Sequence, residues 1–414
     1  MTGVRSALLP TFRPGALLAS ALIAVSPLAA QSNDSQSVAS AAKAPKVSKS
    51  ARWSADVESK AALQYDHNVF LLSSGQRAEL GSPSSDVRIS GRYESMESAN
   101  DLLAIGNIGL QVSGPGVGGR TLEITPELSY ELASRNELRR EAAAALSIAQ
   151  SFGGGRRIRL SAQAAPSHFS RNYLADAVDA DANGSISPAE RIYAKGEYGD
   201  YSIGGDIRLP LSGKSRKRSL AVLSAGLGYY ARSYDAPFAV RDLTGPTAAL
   251  GLEFAPRAPL GLEVTYELAV LSADAGRQVV LLDEAAYGVD FNGNGNATDL
   301  EARAVVDIDR SRLEQQLGGA LAFDMGKRLS GLLGYEYRLR SFRSKLPYDE
   351  ADAGRRDSRS GIRGSVKTRL AKHVSMLVGA KFLSQTTNRG LGSALGEEAD
   401  YTNLLASVGL QASF

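Results

Sequence analysis

Two stretches of this chain place oxygen-bearing side chains at a spacing suited to a hard divalent cation. Asp179, Asp181, Asn183, Ser185 and Glu190 stand at positions 1, 3, 5, 7 and 12 of one twelve-residue run. Asp290, Asn292, Asn294, Asn296 and Glu301 hold the same positions in a second. Residues 1, 3 and 5 offer carboxylate or amide oxygens, residue 7 its backbone carbonyl, and Glu at 12 both oxygens at once. Gly184 and Gly295 stand at position 6, where the turn is sharp. Such oxygen sets select calcium. The first run offers three carboxylates and the second two, so the first is expected to bind more tightly. The plainer reading is a polar surface loop of Asp, Asn and Gly. A match at all positions in both runs favours the cation.

Both runs resemble EF-hand and dockerin-type calcium loops. Neither shows a clear entering helix, which points to the weak range of extracellular modules, roughly 0.1–1 mM. Ser187-x-x-Glu190 and Thr298-x-x-Glu301 read as capping boxes for a short exit helix. The three histidines, His67, His168 and His373, are scattered, which argues against a multi-histidine metal site. His168-Phe169-Ser170, with Asn172 on the same parity, resembles the His-x-Ser motif of outer-membrane phospholipases, which use calcium beside a Ser-His-Asn site. There His would take the Ser proton and Asn would orient the His. In that family the Asn comes from another strand, and a non-enzymatic chain is the preferred reading.

The elements that must position these loops are strands. In Thr121 to Leu132, Leu122, Ile124, Leu128, Tyr130 and Leu132 alternate with Thr121, Glu123, Thr125, Glu127, Ser129 and Glu131. A helix would not hold those glutamates on one face, whereas a strand does. Trp53 to Tyr65 alternates in the same way. Similar runs follow at 87–93, 102–112, 138–150, 156–170, 192–211, 217–233, 245–256, 260–273, 304–325, 328–344, 358–371, 373–387 and 401–414. That makes fifteen candidates, whereas a closed bacterial barrel normally has an even number. One strand is therefore split, merged or missed, most simply between 86 and 156. The expected fold is an all-β transmembrane antiparallel barrel of 14–16 strands, with 16 favoured.

Tyr401 to Phe414 alternates to its last residue and resembles the C-terminal strand of bacterial outer-membrane barrels, where a final Phe acts as an assembly signal. The resemblance implies the barrel-assembly machinery as a partner, with outer-membrane lipid and lipopolysaccharide around the wall. With Phe414 in the periplasm, the connections near 171–191, 235–243, 274–303, 346–357 and 389–398 become long extracellular loops. Those near 212–216, 257–259, 326–327 and 371–373 become short periplasmic turns. This asymmetry suits outer-membrane barrels. Tyr65-Asp66-His67-Asn68-Val69-Phe70 resembles the first-strand motif of a family of outer-membrane β-barrel porins. Members often sit beside exopolysaccharide synthesis and export genes, so the resemblance implies an envelope channel or a polysaccharide-associated barrel, with polysaccharide or small polar solutes as expected partners.

Residues 1–30 read as a secretory signal: Arg5 and Arg13 precede the apolar run 15–25, and small residues precede Gln31. Residues 31–52 read as a disordered periplasmic lead-in, and 53–414 as the barrel. Absence of cysteine excludes disulfides and thiolate metal sites. A net charge of +3 with 22% charged residues argues against nucleic acid as a partner. Mean hydropathy of −0.16 is too low for a helical membrane protein and suits a barrel with a wet inner face. On that face Glu123, Glu127, Glu131, Glu263 and Glu267 form acidic ladders. Arg157, Arg159, Arg338, Arg340, Arg359, Arg363, Lys367 and Arg369 form basic ones. Charge at this density requires water or partners. A pore and a salt-bridged, closed interior are both compatible with it.

Overall fold

The computed structural model describes residues 53–82, 91–211, 221–257, 260–295, 297–299, 301–326, 328–349, 351–388 and 400–414, and for 255–257 the backbone alone. The expected leader and lead-in lie outside the described residues. So do Asn296, the first half of the strand expected at 87–93, the turn at 212–216 and the loop tip at 389–398.

Among the described residues, period-two alternation produces sixteen strands in chain order. The first nine are β1 Ser54–Asp66, β2 Asp101–Pro115, β3 Thr121–Ala133, β4 Glu141–Ser151, β5 Arg157–Ala177, β6 Arg191–Pro210, β7 Ala221–Tyr234, β8 Leu243–Arg257 and β9 Leu260–Leu271. Then follow β10 Gly276–Leu282, β11 Ala302–Ile308, β12 Arg312–Asp324, β13 Leu329–Phe342, β14 Arg356–Arg369, β15 Val374–Thr387 and β16 Tyr401–Ser413. Fourteen of them close an antiparallel barrel in the order β1-β16-β15-β14-β13-β12-β9-β8-β7-β6-β5-β4-β3-β2. β10 and β11 form a separate two-stranded sheet.

The favoured count of sixteen barrel strands is thus corrected to fourteen. Residues 91–95 are a turn, so the described part of the 87–93 candidate is no strand. The 304–325 candidate joins hairpin strand β11 to wall strand β12. Its alternation runs through Asp309-Arg310-Ser311, but only β12 pairs with the wall, on β9 and β13.

Outward-facing residues form an apolar band that includes Leu63, Ile108, Leu128, Leu160, Leu227, Leu250, Leu317, Leu333, Ile362 and Leu410, all exposed. Tyr65, Tyr130, Tyr201, Tyr229 and Tyr337 ring it toward one end, and Trp53, Phe152, Phe254 and Phe414 toward the other. An exposed apolar belt of this extent with two aromatic girdles is a lipid-facing surface. The end holding Trp53 and Phe414 carries short turns, and the opposite end carries the long connections. These are the periplasmic and extracellular faces respectively.

The described parts of the first extracellular connection, 67–82 and 91–100, pack across the mouth. Val69, Phe70, Leu72 and Met96 are buried against Leu103, Ala133 and Phe169, with Phe70 edge-on to Phe169 at 5.7 Å. Within it, helix α1 (Ser74–Gly81) is closed by a capping box between Ser73 and Gln76. Asn68, fully buried, fastens the segment to β16. Its Nδ2 donates to Leu72 O (2.7 Å) and Thr402 O (3.0 Å), and its Oδ1 accepts from Leu72 N (2.8 Å). Asn68→Ala orphans the two buried backbone groups of Leu72, at roughly 1–3 kcal/mol each, and removes the tie to Thr402 O. The variant should keep its strand circular dichroism and be cleaved faster by protease within 67–100. An unchanged cleavage rate would show that Asn68 does not hold this segment.

Candidate functional site

β5 rises past the membrane band and delivers the chain to the first Asp/Asn/Gly loop. Asp179, Asp181 and Glu190 bring carboxylate oxygens within 4.8 Å of one another. Three carboxylates this close repel unless something positive or N–H-rich lies among them. The loop supplies N–H groups. Asn183 N and Gly184 N donate to the two Asp179 oxygens at 3.1 and 2.8 Å. Ala180 N and Ser187 N donate to the two Glu190 oxygens at 2.7 and 2.8 Å. Asn183 Oδ1 accepts from Ser185 N at 2.8 Å. The capping box expected at Ser187 and Glu190 forms and starts the single turn Pro188–Glu190. Calcium–oxygen distances are roughly 2.3–2.6 Å, so oxygens within 4.8 Å of one another can share one ion.

The second loop is arranged differently. A one-turn helix, α2 (Glu284–Tyr287), enters it, contrary to the expectation of no entering helix. Glu284, fully buried, accepts from Phe291 N (2.6 Å) and Asn292 N (3.1 Å). Asp290 Oδ1 and Oδ2 accept from Gly293 N and Gly295 N at 2.6 and 2.7 Å. The carboxylate at its centre is Asp299, whose Oδ2 receives the Asn292 and Asn294 amides at 3.0 and 2.8 Å. Glu301 pairs with Arg191, the residue that follows Glu190. Of the sequence-marked ligands, then, Asp179, Asp181 and Glu190 converge, whereas Glu301 faces a guanidinium. Asp299 stands at position 10, off the alternate register, and so escaped the motif.

The two loops touch. Asn292 Nδ2 donates to Gly184 O (3.1 Å), and Ile186 N donates to Glu301 O (3.0 Å). Gly184 has φ of +89°, and a side chain there would run into Asp299 and Asn294. Ile186 is buried against Ala177 and Leu281 of β10. The β10–β11 hairpin packs Val280, Leu282, Ala304, Val306 and Ile308 against Tyr287, Phe291 and Tyr348. The loops, hairpin and 343–355 connection therefore form one packed cap over the extracellular mouth.

The His168, Ser170 and Asn172 constellation is not assembled. His168 Nδ1 lies 2.8 Å from Glu141, and its Nε2 has no hydrogen-bond partner. Ser170 Oγ meets the Tyr173 hydroxyl at 3.2 Å. Asn172 Nδ2 donates to Gly91 O, Arg92 O and Glu94 O. Register shifts in β5 between 165 and 168 and between 169 and 172 break the parity on which the motif depended.

Inside the barrel, exposure falls from the periplasmic to the extracellular half. Near the periplasmic end Arg157 pairs with Glu123 at 2.7 Å (36% and 21% exposed) and Arg159 with Asp206 at 2.7 Å (43% and 15%). At the top Arg355 pairs with Asp357 at 2.7 Å, 9% and 2% exposed. Between them Glu314 faces Arg312, Arg338 and Arg340, and Glu336 faces Arg359 and Lys381. Arg338 and Arg359 are direct cross-strand neighbours, and the two glutamates offset their repulsion.

No family model matches the chain, and neither does any curated protein. Among solved structures it is similar to an anion-selective porin from Comamonas acidovorans, at 12% identity and a TM-score of 0.37, over 88% of this chain and 100% of that one. A bacterial polysaccharide outer membrane secretin aligns at 7% identity and a TM-score of 0.39, over 86% and 98%. OmpT of Vibrio cholerae aligns at 10% identity and a TM-score of 0.37, over 89% and 100%. Scores of this size carry no weight for function. Closure, alternation and aromatic girdles within the chain itself define a transmembrane β-barrel of the bacterial outer membrane, porin-like in build.

Backbone N–H groups of Ser187 and Ala180, with the Ser187 hydroxyl, hold the Glu190 carboxyl below its ordinary pKa. A depressed folded pKa contributes loop stability above the unfolded value and loses it as pH falls through the folded one. Protease cleavage within 178–190 should therefore rise below the ordinary carboxylate range, and Glu190→Gln should flatten that pH dependence. The same pH profile in both proteins would remove Glu190 from this role.

Proposed function

We propose that the protein is a passive channel whose extracellular cap is stiffened by calcium. The observation that carries this reading is the gradient inside the barrel: half-wet ion pairs below, dry ones above. Charged walls with water between them orient polar or ionic solutes. The lower half is then a vestibule, and the loops over the mouth control passage. The resemblance of Tyr65–Phe70 to exopolysaccharide-associated porins supports polysaccharide, or small polar solutes, as cargo.

The converging oxygens of Asp179, Asp181 and Glu190 support calcium in the first loop, with Asn183 and the Ser185 carbonyl completing the set. Asp290, Asn292 and Asn294 would serve the second loop. With Glu301 on Arg191, its affinity should be lower. Bound metal stabilises the ordered loops by mass action. A second reading, a closed barrel that serves surface interactions, is favoured by the belt of ion pairs around Glu314 and Glu336, which braces the wall.

Planar-bilayer conductance separates the two readings, since an open lumen conducts and a braced one does not. In a conducting barrel Arg363→Glu with Lys367→Glu should shift selectivity toward cations, and unchanged selectivity would put both residues off the conducting path. Calorimetric titration of the refolded barrel should find binding at millimolar calcium or below, with Glu190→Gln losing more than Glu301→Gln. No binding, or no effect of either substitution, would reduce these loops to polar turns.

A further inference from the structure

We propose that the periplasmic rim is a docking surface for an acidic polymer entering the lumen, a route that rests on the channel reading. Four described turns at this end are basic. Arg120 lies in the β2–β3 turn, Arg156 in β4–β5, Arg328 in β12–β13, and Lys372 in β14–β15 with Arg369 at the adjoining strand end. All five are exposed. Among the described residues none of the five has an acidic side-chain partner; the exposed carboxylates at this end are Asp324, Asp56 at the start of β1 and the α-carboxylate of Phe414, so cations outnumber anions on the rim. The extracellular connections, in contrast, carry the Asp179, Asp181 and Glu190 cluster and mixed charge elsewhere.

Phospholipid headgroups could also face such a rim. β14 favours the lumen. Ile362, Val366 and Leu370 point to lipid, which places Arg363, Lys367 and Arg369 on the inner face. Cationic side chains thus continue from the rim into the lower lumen as a track. A flexible polyanion reaches several such sites at once and gains from multivalency, which a small anion does not. Attraction between exposed charges is screened by salt, so docking must weaken as ionic strength rises.

The test is binding of fluorescent poly-glutamate, with neutral dextran as control, to the full barrel in zwitterionic detergent. Wild type should bind poly-glutamate in a salt-sensitive way and leave dextran unbound. Reversing the rim (Arg120→Glu, Arg156→Glu, Arg328→Glu and Lys372→Glu) should weaken binding about tenfold or more. Neutralising the same four to Gln should give an intermediate loss, which keeps the test decisive if the reversed set fails to fold. Arg343→Glu with Lys345→Glu, exposed on the extracellular side, should change nothing. Equal binding by wild type and rim variants overturns the proposal. So does a rim variant that alters only retention on phosphatidylglycerol vesicles, because the occupant is then lipid. Poly-glutamate added to one side of a bilayer should block current from the periplasmic side alone. A barrel that binds poly-glutamate at the rim yet never conducts refutes the channel reading and leaves the docking surface standing.

Discussion

Closure of β1 onto β16 is the contact on which the rest of the molecule depends. Lipid offers no hydrogen bonds, so an open strand edge there costs several kcal/mol for each unpaired backbone group. The seam runs from Glu58 opposite Ser413 to Asp66 opposite Leu405. It is fastened at both ends. Below, Val57 and Phe414 exchange backbone bonds at 3.0 Å. Above, Asn68 N donates to Asp66 Oδ1 and Asn403 Oδ1, each at 2.9 Å, while His67 N donates to Leu404 O at 3.0 Å. The same Asn68 that secures the seam starts the segment that crosses the mouth. Barrel closure and mouth coverage therefore share a residue.

A closed wall dictates the character of its interior. Each apolar side chain given to lipid sends its neighbour inward, so the inner face collects charge whatever the cargo. What distinguishes this barrel is where that charge is wetted and where it is sealed. Below, arginine–carboxylate pairs stay half-exposed. Above, loops exclude water, and pairs such as Arg355 with Asp357 survive because each guanidinium meets its carboxylate directly. The cap is built from long connections that fold on one another, so the order of one loop is coupled to the next through Ile186, Glu301 and Arg191.

Wall strands were legible because period-two alternation is a local property that lipid enforces over many residues. Thr121 to Leu132 is the plainest example. Pairing is not local, which is why β11 was merged with β12 and the β10 strand was hidden inside a loop. His168, Ser170 and Asn172 failed for a related reason: bulges in β5 leave no mark on the sequence that a parity count can use. The convergence of Asp179, Asp181 and Glu190 was legible, since their spacing within one short loop brings them together. Asp299 was not, because it acts across the loop on Asn292 and Asn294 rather than in register with them. Within Tyr65–Phe70 the structure shows one physical role, the clamp made by Asn68.

Closure of this chain as a barrel in the outer membrane underlies every other feature of the molecule. Electrophoresis of the outer-membrane fraction in mild detergent, with and without heating, tests it most directly. A closed barrel resists unfolding at ambient temperature, so the unheated protein should migrate anomalously and shift to the position of its unfolded mass only after boiling. Recovery in the soluble periplasmic fraction, with identical mobility before and after heating, would contradict the fold and everything built on it.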